Sequence, residues 1–595
     1  MLLNEQADPM KNNSDPILSE VILNAFQSIS EEMSVSLIRS AYSTNIKERK
    51  DCSCAIFDKK GQLVVLAENI PIHLGSMQGL MDKIGRNSSD WEFRPGDILI
   101  ANDPYLGGGS HLPDVTLVKP VFISRSLIGF TANIAHWTDV GGRTPGAGTA
   151  GDATEIYQEG IRIPPSRLFR KGNLQKDLRN TILSNVRNRE EREGDLRAQV
   201  ASLKLGERRL AEVVETYGKD TVRTVIKDIY QYSQKWMEKT LRKIPHGSCS
   251  FEDVMDDDGV EKERLKIHVA VRIAHTPTPS IEFDFSGTDS QASGGINMVW
   301  PALLATVCYS VKAIIGPEIP MNHGFMRPVK IKAPKGTLVN AVEPAAVGGR
   351  TDTAQRVVDA IMGAFSKRLP KKVTAASNGA TTAIIFGGTK ALSGRDFVYV
   401  EALGGGMGAR NTKDGQDGIQ VNITNTSNLP VEAMEMEYPL RVLTYELVTD
   451  SGGPGRFRGG LGIRKGIRAL VPLLFSAHSD RHEVSPWGLF GGKPGEKGRF
   501  VLYRKAGREE RLKSKSSGIS IDKGDVLTFQ TAGGGGCGPP FDRDLECVRI
   551  DFLNGKITRE KAKSEYGVVL TGKGEIDGCA TEKLRKKERK KRREK

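Results

Sequence analysis

Residues 174–244 repeat their apolar side chains at the spacing of an α-helix, whereas the sequence on either side consists of short strand-like segments. Leu174, Leu178, Ile182 and Val186 lie four residues apart and therefore fall on one helical face. Arg and Glu residues occupy the other face, which normally contacts solvent or a partner. The pattern predicts a long helical arm that divides two regions containing both helices and strands.

Glycine is the second constraint on the fold. It makes up 65 of the 595 residues and shows no collagen-type period. This content indicates many tight turns and close approaches between backbone segments. We therefore expect a multi-domain α/β protein of the mixed α+β kind, in which Gly-rich mixed sheets accompany a helical arm around 174–244.

Changes of pattern along the chain predict five segments. The run from Met298 to Val311 is nearly all apolar but contains Pro301, and it is shorter than the roughly 18 residues of a membrane span, so we expect a buried helix. The segments are an N-terminal α/β domain with the candidate site described below (1–173), the helical arm (174–245), a β-rich segment with the buried helix (246–330), a Gly-rich α/β domain (331–560) and a basic, disordered tail (561–595).

The net charge of +14 comes mainly from one end of the chain. Residues 583–595 hold ten Lys or Arg and two Glu, and they contribute +8, which leaves +6 for the other 582 residues. A run of like charges repels itself, and this one lacks the interleaved aromatic residues of a nucleic-acid site. We expect a solvated tail and no nucleic-acid partner.

Cysteine usage favours a reducing compartment. The seven cysteines are odd in number and form no C-x-x-C pair, and the first 16 residues are polar, unlike a secretory leader. We expect a cytoplasmic protein with no disulfide framework and no membrane role.

The chemistry-bearing residues cluster around two predicted strands, 116–123 and 127–136. We expect the strands to form a hairpin centred on Arg125, so residues whose numbers sum to 250 should lie opposite each other. Asp114 and His136 meet this condition, and opposed residues have Cβ atoms ~4.5–5.5 Å apart.

His111 lies three residues before Asp114, just beyond the open end of the hairpin. Two imidazoles and a carboxylate at a strand end form a plausible open site for Zn²⁺, Mn²⁺ or Fe²⁺. The alternative is a set of hydrogen-bonded polar residues without a metal. Asp51 is a candidate further ligand or a turn residue, and His73 is a site residue or a core histidine.

Several common catalytic motifs are missing from the sequence. It contains no G-x-x-x-x-G-K-[ST] phosphate loop, no G-x-G-x-x-G between a strand and a helix, and no G-x-S-x-G elbow. These observations give no support to a nucleotide site in this chain or to a serine hydrolase.

An ordered series of long motifs resembles the hydantoinase B/oxoprolinase family over roughly residues 15–545. The series begins with ERKDCSCAIFD, IPIHLGSM, GDILIANDPYLGGGSHLPDVTLVKPVF and IAHWTDVGGRTPG. It continues with GGRTDTAQRVVDAI, EALGGGMGAR, NTSNLPVEAMEMEYPLRV, GGPGRFRGGLG and SPWGLFGG. The chain departs from common family spellings at Gly349-Arg350, where an Asn is frequent, so the resemblance assigns no specific role to the 348–356 loop.

The resemblance implies a division of labour between two subunits. In such systems a separate A subunit or domain binds ATP and Mg²⁺ and phosphorylates a carbonyl oxygen, while the B subunit holds a metal ion. The family's H-x-x-D…H pattern matches His111, Asp114 and His136, and Asp51 corresponds to a fourth ligand. An A-type partner would also explain why this chain has no phosphate loop.

The expected function is that of a B subunit of an ATP-dependent cyclic amidohydrolase, which opens a hydantoin or related lactam ring by attack of metal-bound water. His73 and Glu155 are candidates for substrate orientation or proton transfer. We expect an (AB)n hetero-oligomer with a hydantoinase A-type subunit. The alternatives are a subunit of an acetone- or acetophenone-type carboxylase, in which a phosphorylated enolate meets CO₂, and a non-catalytic scaffold.

Overall fold

The N-terminal region forms a seven-stranded antiparallel sheet. The computed structural model describes residues 15–593 except 68, 87–90, 147, 149–150 and 392–393. The strand order is β2-β1-β5-β4-β3-β6-β7. The elements are α1 (Pro16–Ser40), α2 (Thr44–Lys47), β1 (Cys52–Asp58), β2 (Leu63–Leu66), α3 (His73–Arg86), β3 (Ile98–Ala101), β4 (Asp114–Ile123), β5 (Ser126–His136), β6 (Ser166–Arg170) and β7 (Asn173–Leu174).

The predicted helical arm is confirmed as helices, but it lies on the sheet. It consists of α4 (Lys176–Ser184), α5 (Arg189–Tyr217) and α6 (Lys219–Arg242). Helix α5 packs against α1 and against β4 and β5, so its apolar face covers the strands that carry the candidate site. Gly218, with a φ of 84°, separates α5 from α6.

The second sheet packs against a fully buried helix. This four-stranded sheet has the order β11-β10-β9-β8 and is built from β8 (Gly247–Met255), β9 (Leu265–Ala274), β10 (Ser280–Asp284) and β11 (Val329–Lys332). The predicted apolar helix is present as α7 (Trp300–Ile314), followed by α8 (His323–Met326). Helix α9 (Arg350–Phe365) packs against α7, β8 and β9, and all its residues are buried.

The Gly-rich region contributes two further sheets. A four-stranded sheet of order β13-β12-β16-β19 contains β12 (Ala383–Thr389), β13 (Asp396–Ala402), β16 (Leu473–His478) and β19 (Ser516–Ile521). A five-stranded sheet of order β14-β15-β20-β17-β18 contains β14 (Leu440–Leu447), β15 (Ile463–Ala469), β17 (Arg499–Tyr503), β18 (Glu509–Leu512) and β20 (Val526–Gln530). Helix α10 (Val431–Glu437) precedes β14.

Glycine permits close backbone contacts in this region, as the composition indicates. A Cβ atom on Gly406 would lie 2.1 Å from the carbonyl oxygen of Gly460, and one on Gly534 would lie 2.1 Å from that of Met407. Neither position could carry a larger residue without moving the backbone.

The expectation of a disordered tail is wrong for the described residues beyond 560. After α11 (Leu545–Leu553), the chain forms α12 (Arg559–Tyr566) and α13 (Gly578–Arg593), which fall mostly or wholly within the predicted tail. Val548, Tyr566, Val568 and Leu570 belong to a small hydrophobic cluster, and Arg585 donates hydrogen bonds to two backbone carbonyl oxygens. Charge counting overlooked these apolar residues.

The largest hydrophobic cluster runs from Ile22 to Ile423, so segments on both sides of the helical arm share one core. A second cluster lies between the two sheets of the Gly-rich region and includes Phe386, Phe475 and Phe529. Among the described residues, no helix is both long and apolar enough to cross a membrane.

Candidate metal centre

The hairpin of β4 and β5 pairs Asp114 with His136, as the sequence predicts. The turn itself is shorter than expected, because Ser124 and Arg125 alone form it, both with positive φ. An irregularity in the ladder adds one residue to β5 beyond the turn, which restores the predicted register at the far end.

His111, Asp114 and His136 converge in the protein interior. One potential ligand atom from each residue lies within 4.8 Å of the others, and all three residues are buried. His111 Nε2 lies 3.3 Å from Asp114 Oδ1, and the two imidazole centroids are 4.9 Å apart. The structure thus brings together three of the predicted metal ligands.

Two atoms of this triad lack hydrogen-bond partners among the described residues. They are Nε2 of His111 and Oδ1 of Asp114, both inaccessible to solvent. The Nδ1 of His111 donates to the carbonyl oxygen of Gly148 at 3.0 Å, so its proton is on Nδ1 and the lone pair of Nε2 faces Asp114. Buried polar atoms are rarely left unpaired. Imidazole nitrogen and carboxylate oxygen are the donors that Zn²⁺, Mn²⁺ and Fe²⁺ bind, so the residues present fit such an ion.

The electrostatics of the triad favour the ligating protonation states. Burial, and next to it the charge of Arg350, lowers the pKa of His111 to about 4. Burial followed by the effect of His111 lowers the pKa of His136. For Asp114, burial acts to raise the pKa, but His111 and Arg350 together hold it well below its ordinary value. Neutral imidazoles and an ionised carboxylate are the forms that bind metals.

Asp51 and His73 lie beside the triad. His73 Nε2 is 3.6 Å from Asp51 Oδ1 and 3.7 Å from Asp114 Oδ1, so the imidazole stands between the two carboxylates. Its Nδ1 lies 3.0 Å from Ser53 Oγ. Burial raises the pKa of Asp51, and its strongest opposing influence is His73.

Arg350, at the start of α9, is a site residue that sequence reasoning missed. Its NH2 nitrogen donates to Asp114 Oδ2 at 3.0 Å, and its Nε donates to Ser110 Oγ at 2.9 Å. Ser110 Oγ donates to the same carboxylate oxygen at 2.6 Å. Because both donors bond to Oδ2 of Asp114, the other carboxylate oxygen, Oδ1, faces His111 and His73. The departure from family spelling at Gly349-Arg350 thus falls within the site.

His478 and Asp352 form a second pair that sequence reasoning missed, and His478 lines the same cavity as Arg350. His478, at the end of β16, lies with its Nδ1 2.8 Å from Asp352 Oδ2. The backbone N–H of Thr381 donates to the other oxygen of Asp352 at 2.8 Å. The carboxylate therefore holds the imidazole proton on Nδ1. No local motif marks this pair, whose members are 126 residues apart.

A small cavity of about 40 Å³, the metal cavity, adjoins the triad at His136. Its lining also includes Arg49, Asp51, His73, Arg350 and His478. Glu155, a predicted site residue, does not line it. Glu155 is partly exposed and directly precedes a short 3₁₀ helix, Ile156–Gln158.

The buried carboxyl group near Glu155 belongs to Glu159. It accepts hydrogen bonds from the backbone N–H groups of Val347 and Gly348 at 2.8 and 2.6 Å, and so holds the loop that leads into α9. Burial raises its pKa to about 8.

A family model described as hydantoinase B/oxoprolinase matches residues 15–540. The chain belongs to this family. The resemblance inferred from the motifs is therefore confirmed.

Relatives of this hydantoinase B/oxoprolinase family chain include proteins matched over nearly their full length. A putative B subunit of a D-/L-hydantoinase from Pseudomonas sp. (strain NS671) is 34% identical over 590 residues, which cover 96% of this chain and 98% of that protein. The crystal structure of an ATP-dependent caprolactamase from Pseudomonas jessenii is 30% identical, with a TM-score of 0.88 over 96% of this chain and 100% of the other.

The mixed α/β fold expected from the sequence is confirmed by these structures. A nucleotide-free acetone carboxylase structure is 20% identical, with a TM-score of 0.90 over 98% of this chain and 84% of the other. The acetone carboxylase chain therefore has the same fold as this chain.

Proposed function

We propose that this chain is the B subunit of an ATP-dependent cyclic amidohydrolase that opens a hydantoin or related lactam ring. The main support is the buried triad of His111, Asp114 and His136, which contains two unpaired polar atoms and of which His136 lines a cavity with further acid–base groups. The names of the hydantoinase and caprolactamase relatives support the substrate class.

The proposed metal is one divalent transition ion, Zn²⁺, Mn²⁺ or Fe²⁺, held by His111, Asp114 and His136 with Asp51 as a fourth ligand. When bound, such an ion supplies Lewis acidity and a water nucleophile at neutral pH. Arg350 fixes the orientation of Asp114 through Oδ2, which keeps Oδ1 directed at the two histidines.

Two imidazoles are placed to handle protons. His73 Nε2 lies 3.6 Å from Oδ1 of Asp51 and 3.7 Å from Oδ1 of Asp114, and the imidazole lines the metal cavity, where it can exchange a proton with a bound substrate. His478 presents Nε2 as a proton acceptor, because Asp352 keeps the other nitrogen protonated. Asp352 is thus a positioning residue for His478.

Activation of the substrate is assigned to an A-type partner that binds ATP and Mg²⁺. An amide carbonyl is a poor electrophile, and phosphorylation of its oxygen gives a better leaving group. The chain itself contains no phosphate-loop motif. A cytoplasmic (AB)n hetero-oligomer would bring the two reactions together.

The test is co-expression with a hydantoinase A-type subunit, followed by assay of hydantoin, 5-oxoproline and lactam ring opening. We expect ATP consumption only when a cyclic amide is present, and no dependence on bicarbonate. The isolated B chain should hydrolyse neither ATP nor the ring. A product that incorporates labelled bicarbonate from a ketone would contradict the proposal and favour the carboxylase alternative.

A further inference from the structure

The metal cavity lies next to a much larger cleft. At about 40 Å³ it has room for only a few water molecules. The adjoining cleft measures about 750 Å³, a size typical of small-molecule sites. Ile70 and Thr424 line both spaces, so these two side chains form the neck between them.

The neck is held in place from both sides. Gln355 of α9 donates from Nε2 to Thr424 Oγ1 at 3.0 Å and to the carbonyl oxygen of Val421 at 2.9 Å. On the other side, the N–H of Ile70 donates to Ser53 Oγ at 3.3 Å. The width of the neck is therefore set by side-chain size at positions 70 and 424.

Five carboxamide side chains in the cleft lining share one property. Their NH₂ groups donate to protein acceptors, while their carbonyl oxygens accept no hydrogen bond from the described residues. Such oxygens can receive the N–H groups of a ligand. These residues are Asn24, Gln27, Asn69, Asn422 and Asn425.

The other polar groups of the cleft complement this pattern. Tyr309 offers a hydroxyl group that stays protonated at neutral pH, because burial raises its pKa to about 12. The ammonium group of Lys312 donates to the carbonyl oxygens of Pro317 and Ile319. The other charged residues described in the cleft lining are Glu20 and Glu318, whose carboxylates disfavour anionic ligands.

We propose that this cleft binds a neutral cyclic amide and that the neck formed by Ile70 and Thr424 is the route between the cleft and the metal centre. The ring N–H groups meet carboxamide oxygens, and a ring carbonyl group can accept from Tyr309. The ligand class rests on the proposed function, whereas the route does not.

The route is tested on the full-length chain loaded with Zn²⁺, from the rate at which excess 1,10-phenanthroline removes the ion. Ile70→Ala should accelerate removal several-fold and Ile70→Phe should slow it several-fold. Ile419 lines the cleft but not the metal cavity, so Ile419→Ala and Ile419→Phe are matched controls that should follow the wild type. Circular dichroism verifies that each variant is folded.

The ligand class is tested on the wild-type protein, which requires no variant to fold. Hydantoin, 2-pyrrolidinone or ε-caprolactam should slow the removal of Zn²⁺, and inorganic phosphate should not. Equal removal rates in folded Ile70 variants and wild type would overturn the route, and stronger protection by phosphate than by the rings would overturn the ligand class. If the neck controls removal but the complex with its partner opens no ring, the proposed function fails and the route stands.

Discussion

Arg350 and Asp114 are 236 residues apart in the chain, yet the NH2 nitrogen of Arg350 lies 3.0 Å from Oδ2 of Asp114 in the protein interior. Both side chains are almost completely buried. A buried ion pair costs free energy to desolvate, and removal of one partner leaves the other charge uncompensated. The pair therefore links the fold of α9 to the orientation of a proposed metal ligand.

Arg350→Met should lower the free energy of unfolding by about 3–5 kcal/mol, because it leaves Asp114 buried without its cation. Urea unfolding of the metal-free protein measures this loss. The control is Arg209→Met, since Arg209 pairs with Glu32 at the surface and an exposed pair contributes less than about 1 kcal/mol. Similar losses in the two variants would show that burial does not increase the contribution of the Arg350–Asp114 pair to the free energy of unfolding.

His136→Ala should abolish metal binding while the protein stays folded. His136 closes the triad from the end of β5, and its loss removes one of the two imidazole nitrogens and leaves His111, Asp114 and Asp51 as the proposed ligands. Elemental analysis should show about one ion per chain in the wild type and little in the variant. His275→Ala, which removes a histidine bonded to a backbone carbonyl away from the triad, serves as control. Full metal content in His136→Ala would remove this residue from the ligand set.

Asp352→Asn should reduce kcat by about a hundredfold or more without loss of metal. The N–H of Thr381 requires an acceptor, so the amide oxygen of Asn would stay there and the NH₂ group would face His478. That NH₂ group donates to Nδ1 and shifts the imidazole proton to Nε2, the opposite tautomer. Turnover and metal content of the complex are measured together. His478→Gln should likewise lose turnover and keep its metal.

The control for this pair is His268→Gln, because His268 lies on β9 of a separate sheet and bonds to the carbonyl oxygen of Ser286. It should keep wild-type turnover. Unchanged kcat in both Asp352→Asn and His478→Gln would exclude the pair from proton transfer.

Glu159→Gln should change how stability depends on pH. Burial raises the pKa of Glu159 to about 8, above the ordinary value of 4.5, so the folded protein holds this proton more tightly than the unfolded chain. The stabilisation is full below pH 4.5 and is lost as the pH rises through about 8. Glu159→Gln removes this loss, so its stability relative to wild type should increase between about pH 5 and 8.

Urea unfolding at several pH values tests the expectation for Glu159. Glu155→Gln is the matched control at a partly exposed position, and its profile should run parallel to that of the wild type. Parallel profiles for wild type and Glu159→Gln would show that the carboxyl group is ionised across this range.

The pairing at the open end of the hairpin was predicted from two apolar-rich segments and an assumed turn position. The prediction placed Asp114 opposite His136 from a loop centred on Arg125, and the structure pairs the same residues. It succeeds for a reason that the sequence did not reveal. The turn is one residue shorter than assumed, and the extra residue in β5 compensates for it.

Other parts of the site could not be deduced from local pattern. Arg350 and His478 line the cavity and Asp352 bonds to His478, through contacts between residues far apart in the chain that no short-range spacing encodes. Glu155 was predicted as a site residue but does not line the cavity, and the buried carboxyl group is that of Glu159, four residues later. Burial distinguishes the two, and the local sequence does not show it.

Helix α9 has no exposed face, since every residue from Arg350 to Phe365 is buried. A second protein that docks on this chain therefore cannot touch the helix that positions Arg350 and Asp352. A docked partner can therefore influence Arg350 and Asp352 only through the neighbours of α9, which include α7, β8 and β9. Burial of α9 thus keeps a docked protein out of contact with Arg350 and Asp352, but a shift of the elements around α9 would still move both side chains.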